Sequence, residues 1–371
     1  MKLTRKSIGR IAASFVATAM LATMAIVPAS AASFTDSGVV TAGGNTVTVN
    51  QTLTKTDSNA TTPSVTFTYD VAANTNPGTG NGKVPVYAGV DADKVTVDDV
   101  TYTVTDTDLN KTFDVDFSQV TWTGVGVYRY ILTVADNNDD VTTADSDLYL
   151  DVYVGVNDSD AYYVMYYVLS QDSTMTSNAD GDSYVYTNKT DGFDSTYTTY
   201  SLTLTKTVSG TMANPNVPYT FEVDLSKLTE GTYVYIDGVK STTAAANDGT
   251  LTISNISLTP NGDDEIVITG IPSTAAYKII EALSEDDGYT VTATIDDDTA
   301  NNTVAYDDVE TEYYVDTNEM PAANVNVTVN NARSASTPTG IMMDIAPYAV
   351  LVVIAAAGCF IFLRKRHAKE D

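Results

Sequence analysis

The chain has 371 residues, with 19 Lys and Arg against 48 Asp and Glu and a net charge of -29. This balance disfavours nucleic acids and anionic membrane surfaces as partners, because both repel a carboxylate-rich protein. The single cysteine, Cys359, lies in an apolar run near the C-terminus, so the rest of the chain has no disulfide. About three hundred residues between the two ends suffice for two domains with separate cores.

Residues 1–31 have the pattern of a secretory signal peptide. A start with four basic residues precedes an apolar stretch from Ile11 to Val27, and small residues up to Ala31 provide a cleavage site. We therefore expect a secreted protein whose mature chain begins near Ala32.

Residues 32–190 are predicted to form an N-terminal β-sandwich domain. Short segments rich in Val, Thr and Tyr alternate apolar and polar residues, and Asp, Asn and Gly separate them. Four residues of the first long strand would share one face: Val47, Val49, Gln51 and Leu53. Because no helical periodicity is sustained, the fold class is predicted to be all-β.

Residues 191–200 are polar and unpatterned, which predicts a linker. A second β-sandwich domain is predicted over residues 201–334. Three polar residues fall on the otherwise apolar faces of its strands: Lys206, Glu281 and Asn331. A lysine is almost never fully buried unless it is paired, so these positions need an explanation.

Two interpretations fit this trio. The first is a buried Lys206–Glu281 salt bridge beside a hydrogen-bonded asparagine. The second is an autocatalytic amide, because burial lowers the pKa of an amine and raises that of a carboxyl. A neutral Lys206 could then attack the side-chain carbonyl of Asn331, while a protonated Glu281 polarises that carbonyl and passes the proton to the departing ammonia. We favour the amide.

The C-terminal end combines three signals. Residues 335–340 include STPTG, which resembles the LPxTG-type signal in which a sortase cleaves between threonine and glycine, here Thr339 and Gly340. Residues 341–363 are apolar and long enough to cross a bilayer. Residues 364–371 form a basic tail that the positive-inside tendency assigns to the cytoplasm. An ordinary single-pass membrane anchor is the alternative.

Several segments together resemble a known family. LTLTKTVSG, YKIIEALSEDDGYTVTATI, VTVNNAR and STPTG are similar to the C-terminal half of Gram-positive backbone pilins of the streptococcal T-antigen type. GVYRY and YLDVYV resemble the N-terminal domain of that family. The resemblance implies two tandem Ig-like (Cna-B-like) sandwiches, with Lys206 and Asn331 joined by an isopeptide bond that Glu281 promotes.

The same resemblance implies a function and partners. A backbone pilin is polymerised and attached to the cell wall, so the expected partners are a sortase, neighbouring pilin subunits and peptidoglycan. A role in adhesion implies a host or surface receptor, whose identity the sequence does not reveal. A non-polymerising wall-anchored adhesin with a pilin-like fold is the alternative.

The first domain departs from the family pattern. Gln51 stands where the resemblance implies a lysine, and Val134 stands where it implies a glutamate. Asn188 is left as the would-be acceptor, but without a nucleophile or a proton shuttle we expect it to be only a hydrogen-bonded asparagine. We therefore hypothesise that this domain has no isopeptide bond, with a shifted set that uses Lys55 and Asp136 as the alternative.

Polymerisation also needs an acceptor lysine, which in the family lies just upstream of the asparagine that closes the first domain. Residues 178–187 contain no lysine. Lys189 is the nearest substitute. Three further lysines are candidates: Lys83, Lys94 and Lys111.

No metal site, cofactor or catalysis on an external substrate is predicted. The acidic loop from Asp136 to Asp140 has a calcium-loop-like composition, but it is expected to be solvated. The only histidine, His367, lies in the basic tail, and no Cys or Ser nucleophile motif precedes it. A wall-anchored enzyme is therefore the least supported alternative.

Overall fold

The computed structural model describes residues 32–33, 38–41, 44–77, 84–177, 184–296, 304–307, 310, 312–316, 320–335, 351–352 and 354–356. Regular structure between residues 32 and 335 is β-strand except for two single-turn 3₁₀ helices, Ala92–Lys94 and Glu285–Asp287, within the described parts. The prediction of an all-β chain with two sandwiches is confirmed.

The first domain contains fifteen described strands. They are β1 Ala32–Ser33, β2 Val39–Thr41, β3 Thr46–Lys55, β4 Val65–Ala73, β5 Val86–Ala88, β6 Thr96–Val97, β7 Val100–Tyr102, β8 Asn110–Asp116, β9 Gly126–Asp136, β10 Val141–Thr143, β11 Asp147–Val156, β12 Tyr162–Ser170, β13 Thr176–Ser177, β14 Tyr184–Val185 and β15 Gly192–Tyr197. One sheet has the order β10-β15-β3-β8-β6, with β1 added to β3. The other has the order β2-β12-β11-β9-β4-β7, with β5 added to β9.

The second domain contains eleven described strands. They are β16 Tyr200–Ser209, β17 Tyr219–Ser226, β18 Tyr235–Ile236, β19 Val239–Lys240, β20 Leu251–Leu258, β21 Glu265–Ile271, β22 Ala276–Glu281, β23 Thr290–Ile295, β24 Ala305–Asp307, β25 Glu312–Asp316 and β26 Val325–Ala332. Their sheets have the orders β19-β18-β21-β16-β26-β23 and β20-β17-β22-β25-β24.

Each domain buries its own apolar core between its two sheets. Fully buried core residues of the first domain include Val47, Val49, Phe67, Val115, Phe117 and Leu132. Those of the second include Leu202, Leu204, Val223, Ile268, Val325 and Val327. These residues alternate along their strands, as a half-buried sheet requires, and each such side chain contributes about 1.5–3 kcal/mol of burial free energy.

The predicted linker at residues 191–200 is wrong. Most of it is β15, which closes the first domain by pairing in parallel with β3. Phe193, Ser195 and Tyr197 are buried along its inner face. Gly192 allows the close approach, since a Cβ there would collide with the backbone of Asn50. The alternation of apolar and polar residues was not recognised in the sequence, because the outer face is polar and the inner face includes a serine.

The two domains contact each other directly. The Asp140 carboxylate accepts hydrogen bonds from the backbone N–H of Ser273 (2.8 Å), from the Ser273 hydroxyl and from the Thr274 hydroxyl (3.2 Å). Beside it, the Tyr233 backbone N–H donates to the Thr61 hydroxyl at 2.9 Å. Asp140 is only 7% exposed. For this residue the expectation of a solvated acidic loop is wrong, because the second domain covers it.

Candidate functional site

The three polar residues predicted on core faces meet in the second domain. Lys206 lies in β16 and is fully buried. Its ammonium Nζ lies 4.6 Å from the centroid of the Tyr219 ring and 5.9 Å from that of Phe221. Aromatic faces attract a desolvated cation, so the rings make this burial less costly.

Glu281 and Asn331 complete the cluster. The Oε1 atom of Glu281 lies 3.3 Å from Lys206 Nζ and accepts a hydrogen bond of 2.6 Å from Asn331 Nδ2. The Lys206 ammonium also donates to the backbone oxygen of Val329 at 3.4 Å. Asn331 is fully buried and Glu281 is 2% exposed. One carboxylate oxygen therefore contacts both the amine and the amide.

The strand register explains this meeting. The first strand of the domain, β16, pairs in parallel with the last, β26, and Lys206 lies opposite Val329. Asn331 follows two positions later on the same face. Glu281 ends β22 in the facing sheet, opposite Phe221 of β17. The sandwich thus brings together residues from its first strand, its last strand and the opposing sheet.

Burial changes the protonation of the pair. It lowers the pKa of Lys206 from 10.5 to about 8, although the charge of Glu281 opposes this shift. Burial also raises the pKa of Glu281, against the influence of Lys206 and Asn331. Both shifts favour the neutral forms, because a low-dielectric interior disfavours charge. The two shifts bring the pKa values of the amine and the carboxyl closer together, so the free-energy cost of moving a proton from one to the other falls.

Within the part of the chain that the structure describes, two buried atoms of the cluster have no hydrogen-bond partner: Glu281 Oε2 and Asn331 Oδ1. A buried polar atom without a partner typically costs about 1–3 kcal/mol. The ion pair of the first interpretation is present, but it leaves the asparagine carbonyl unsatisfied. A proton on Oε2 would supply the missing donor on the carboxyl side.

The first domain has a neutral counterpart of this cluster. Gln51 lies opposite Phe193 of β15 as Lys206 lies opposite Val329 of β26. Two positions after Phe193 is Ser195, which therefore stands where Asn331 stands in the second domain. Gln51 Nε2 donates to Ser195 Oγ at 3.0 Å. The Tyr69 hydroxyl donates to Gln51 Oε1 at 2.8 Å, and Gln51 is fully buried.

Asn188 is a hydrogen-bonded asparagine, as expected, but it does not occupy the position that corresponds to Asn331. Asn188 is exposed, and its side-chain amide donates to Asp172 at 3.0 Å. Val134 is half-buried and apolar, with its Cα paired to Tyr69. Ser195 was missed, although the inward alternation of Phe193, Ser195 and Tyr197 was a signal for it.

The shifted set is not assembled either. The Lys55 ammonium donates to the backbone oxygen of Ala60, and Lys55 lies opposite Tyr197 at the far end of β15. Asn188 precedes the opposite end of that strand. Asp136 accepts from the backbone of Asn138 at 3.0 Å. In the described structure, therefore, Lys55 and Asn188 are not brought together.

The candidate acceptor lysines differ in their surroundings. Lys94 forms an ion pair with Asp91 at 2.9 Å, and Lys111 forms one with Asp106 at 2.9 Å. Lys83 lies outside the described residues. Lys189 is half-buried, and its ammonium lies 5.9 Å from the centroid of the Tyr186 ring with no carboxylate partner in the described structure. Burial lowers the pKa of Lys189, which favours the nucleophilic amine.

Thr339, Gly340 and the signal peptide at residues 1–31 lie outside the described residues, and so does nearly all of the predicted span at 341–363. Its residues 351–352 and 354–356 are helical. Among the helices described, none is both long and apolar enough to cross a membrane. The described residues also contain no cluster of His, Cys, Asp and Glu that could hold a metal ion.

Comparisons with known proteins agree with this architecture. Residues 200–319 match the model of a domain of unknown function, DUF7601, which begins at the first residue of β16. A pilin from Streptococcus pyogenes serotype M1 is 26% identical over 349 residues, which cover 89% of this chain and 94% of that protein.

Solved structures give the same picture. The major pilin T3.2 from S. pyogenes serotype GAS13637 aligns with a TM-score of 0.59 at 22% identity, over 80% of this chain and 99% of that one. Another S. pyogenes major pilin aligns with a TM-score of 0.61 at 22% identity, over 79% and 99%. The resemblance that the sequence motifs predicted is confirmed, and the chain has the two-domain β-sandwich fold of the streptococcal major pilins.

Proposed function

We propose that this chain is the backbone subunit of a sortase-assembled pilus on a Gram-positive cell wall. The likeness to major pilins along most of the chain supports a structural role rather than an enzymatic one. The observation that carries the proposal is the buried cluster in which Glu281 Oε1 contacts both Lys206 and Asn331. Such a cluster suits a subunit that must carry tension without disulfides.

The chemistry we propose for the cluster is an intramolecular amide transfer. The neutral Lys206 amine attacks Cγ of Asn331, and protonated Glu281 polarises the carbonyl oxygen. The Glu281 proton passes to the carbonyl oxygen as the new N–Cγ bond forms, and the resulting carboxylate carries one proton from the attacking nitrogen to Nδ2. The Cγ–Nδ2 bond then breaks, the carbonyl re-forms and its oxygen returns the proton to Glu281. The products are a Lys206–Asn331 isopeptide bond and one ammonia molecule.

The bond would give the second domain a short path for force. Tension that enters near Thr339 reaches Asn331 within a few residues and crosses to Lys206 in β16, next to the first domain. The rest of the second sandwich is then bypassed. Adjacent parallel strands that would otherwise be joined only by hydrogen bonds become covalently connected.

Lys189 is the acceptor that we propose for polymerisation. Ser195 occupies the position of the closing asparagine, and Lys189 lies six positions before it. The family lysine lies just upstream of that asparagine, so Lys189 fits the expected place. The Thr339 carbonyl, held by a sortase as an acyl-enzyme, would be transferred to the Lys189 amine of a neighbouring subunit. Peptidoglycan would receive the last subunit.

The experiment that tests this function is an immunoblot of muramidase-released wall extract, boiled in SDS, with antibody to residues 32–335. A ladder of regularly spaced bands is expected, and it should collapse to a monomer in a Lys189→Arg variant. Lys94→Arg is the matched control and should keep the ladder. A single wall-linked band from the unmodified chain would refute polymerisation.

That single band would support the alternative of a non-polymerising wall-anchored adhesin. One observation favours this alternative: Tyr162, Tyr163 and Met165 are 44%, 39% and 41% exposed on the β11–β12 hairpin. Such amphipathic side chains are suited to binding a receptor.

A further inference from the structure

One carboxylate gathers the backbone immediately before Lys189. Asp172 accepts from the backbone N–H and the hydroxyl of Thr187, both at 2.7 Å. It also accepts from the backbone N–H of Asn188 at 3.2 Å and from its side-chain amide at 3.0 Å. Four donors from two consecutive residues thus converge on one side chain, and hydrogen bonds to a carboxylate are stronger than neutral ones.

The backbone of Lys189 itself is also held. It forms an isolated antiparallel bridge with Ser170 at the end of β12, and the Thr190 N–H donates to Leu169 at 3.2 Å. Gly38 packs against it so closely that a Cβ at that position would lie 2.6 Å from the Cβ of Lys189. Only the side chain of Lys189 beyond its Cβ remains free to move.

A buried ion pair supports Asp172 from below. Arg129 and Asp151 are both fully buried and lie 3.3 Å apart, and Arg129 Nη2 donates to the backbone oxygen of Asp172. A buried pair of this kind seldom adds net stability over apolar residues of the same size. The Lys206, Glu281 and Asn331 cluster in the second domain does not include this ion pair. Its contact with Asp172 gives it a role in fixing the acceptor segment.

A tyrosine pair completes the support. The Tyr186 hydroxyl shares a hydrogen bond of 2.8 Å with the Tyr153 hydroxyl, and the Lys189 ammonium lies over the Tyr186 ring. Tyr153 in turn stacks on Tyr166 with ring centroids 4.2 Å apart. Residues 186–189 are therefore held by two sets of contacts: the hydrogen bond of Tyr186 to the stacked Tyr153, and the hydrogen bonds of residues 187–188 to the Asp172 carboxylate.

We propose that Asp172 is a positioning residue for polymerisation, which holds residues 187–188 so that the Lys189 amine is presented to the sortase acyl-enzyme in one orientation. This inference rests on the proposed function. An amine on an ordered backbone loses less conformational entropy when it attacks the Thr339 carbonyl than an amine on a mobile loop does. Asp172 thereby also selects Lys189 over the other exposed lysines.

The experiment compares Asp172→Ala and Asp172→Asn with Asp145→Ala as the matched control. Asp145 accepts from the side chain of Gln171, next to Asp172, and has no bond to residues 187–189. Pulse-labelled cells are followed for the rate of ladder growth, and mass spectrometry of one rung identifies the lysine joined to Thr339. Thermal unfolding of each purified ectodomain checks that it is folded.

We expect Asp172→Ala to slow ladder growth on the order of 10-fold, with some rungs rerouted to Lys94 or Lys111. Asp172→Asn keeps one acceptor oxygen and should be intermediate, while Asp145→Ala should match the unmodified chain. Amide hydrogen exchange at residues 187–190 should be fastest in Asp172→Ala, intermediate in Asp172→Asn and unchanged in Asp145→Ala. A merely structural role for Asp172 would not change which lysine is joined.

Ladder growth through Lys189 at the unmodified rate in a folded Asp172→Ala protein would overturn the proposal. If Asp172→Ala does not fold, Thr187→Val is the second variant, because it removes one of the four hydrogen bonds to Asp172. It should slow ladder growth by a smaller factor, and an unchanged rate would contradict the positioning role of Asp172. If the unmodified chain forms no ladder, or joins through another lysine, the proposed function or its acceptor fails first. The two failures are therefore separable.

Discussion

Lys206 defines the chemistry of the second domain because its charge has no access to water. A lysine that is fully buried against Tyr219 and Phe221 is stable only if it is paired or neutral. Glu281 supplies the partner, and burial raises the pKa of its carboxyl, which favours the protonated form. Asn331 supplies the carbonyl. As separate groups the three residues leave Asn331 Oδ1 without a donor in the described structure, and this supports the amide that we propose.

Replacing Glu281 tests this chemistry at the level of one residue. In a Glu281→Ala ectodomain we expect the full calculated mass, whereas the unmodified ectodomain should weigh ~17 Da less because ammonia has left. Loss of the bond should lower the free energy of unfolding by about 5 kcal/mol, since the loop from Lys206 to Asn331 is no longer closed. Intact mass and thermal unfolding provide the measurements. An unmodified ectodomain at full mass would contradict the amide.

The lowered pKa of Lys206 predicts a pH dependence in a variant that cannot form the bond. In Asn331→Ala the folded state releases the Lys206 proton near pH 8, while the unfolded state keeps it up to about pH 10.5. The unfolded state therefore binds more protons between these values, and the free energy of unfolding should rise with pH across this window.

Urea unfolding of Asn331→Ala at several pH values between 8 and 10 would measure this slope. Asn330→Ala is the control, because that residue lies beside the cluster and leaves the amide able to form. A free energy of unfolding that falls across the same window would show that Lys206 keeps its charge when buried.

At the scale of elements, both domains are closed by the same strand pairing. In each, the first long strand pairs in parallel with the last, which places the start and the end of the domain at opposite ends of two adjacent strands. Only the second domain adds reactive groups across this pairing. In the first domain Gln51, Ser195 and Tyr69 form neutral hydrogen bonds there instead. The described groups at this contact are one amide and two hydroxyls, in place of the amine, carboxyl and amide of the second domain.

The first domain should therefore be the extensible part of the molecule. Single-molecule pulling from both ends should unfold residues 38–197 and leave the second domain intact. In the first domain only hydrogen bonds between the parallel strands β3 and β15 resist the force. In Glu281→Ala, both domains should unfold. Unfolding of the second domain first in the unmodified protein would contradict the predicted load path.

At the scale of the whole molecule, the junction depends on Asp140. It comes from the first domain, and all three of its donors from Ser273 and Thr274 belong to the second. The carboxylate is covered at the junction, so its hydrogen bonds are shielded from water. Beside it, Thr61 and Tyr233 exchange two further hydrogen bonds across the same boundary. A chain under tension gains a defined domain orientation from these contacts.

Asp140→Ala should loosen the junction without unfolding either domain. Hydrogen bonds to a charged acceptor contribute about 1.5–3 kcal/mol each, so their loss should allow the domains to move independently. Small-angle scattering should then report a broader range of interdomain distances. The neighbouring Asp139→Ala is the control, because the Asp139 side chain is exposed and its replacement removes the same charge. Identical scattering from both variants would show that Asp140 does not fix the orientation.

The fold class and the residues of the second-domain cluster were predictable from the sequence. Alternation with a period of two assigns each strand residue to a face, so Lys206, Glu281 and Asn331 stood out as polar residues on apolar faces. Their burial cost made them candidates before any contact was known. The same alternation put Gln51 at the position that corresponds to Lys206, which predicted a first domain without an isopeptide bond.

The pairing of the strands and the contacts between the domains could not be predicted from the sequence, because both depend on residues that are far apart in the chain. Ser195 belongs to the Gln51 site because β15 pairs with β3 across more than a hundred residues of chain, and local pattern carries no information about such a distant partner. Asp140 and Asp172 read as ordinary acidic loop residues in the sequence. Their donors come from a different domain and from a later loop, so their roles depend on contacts that form only when the whole chain has folded.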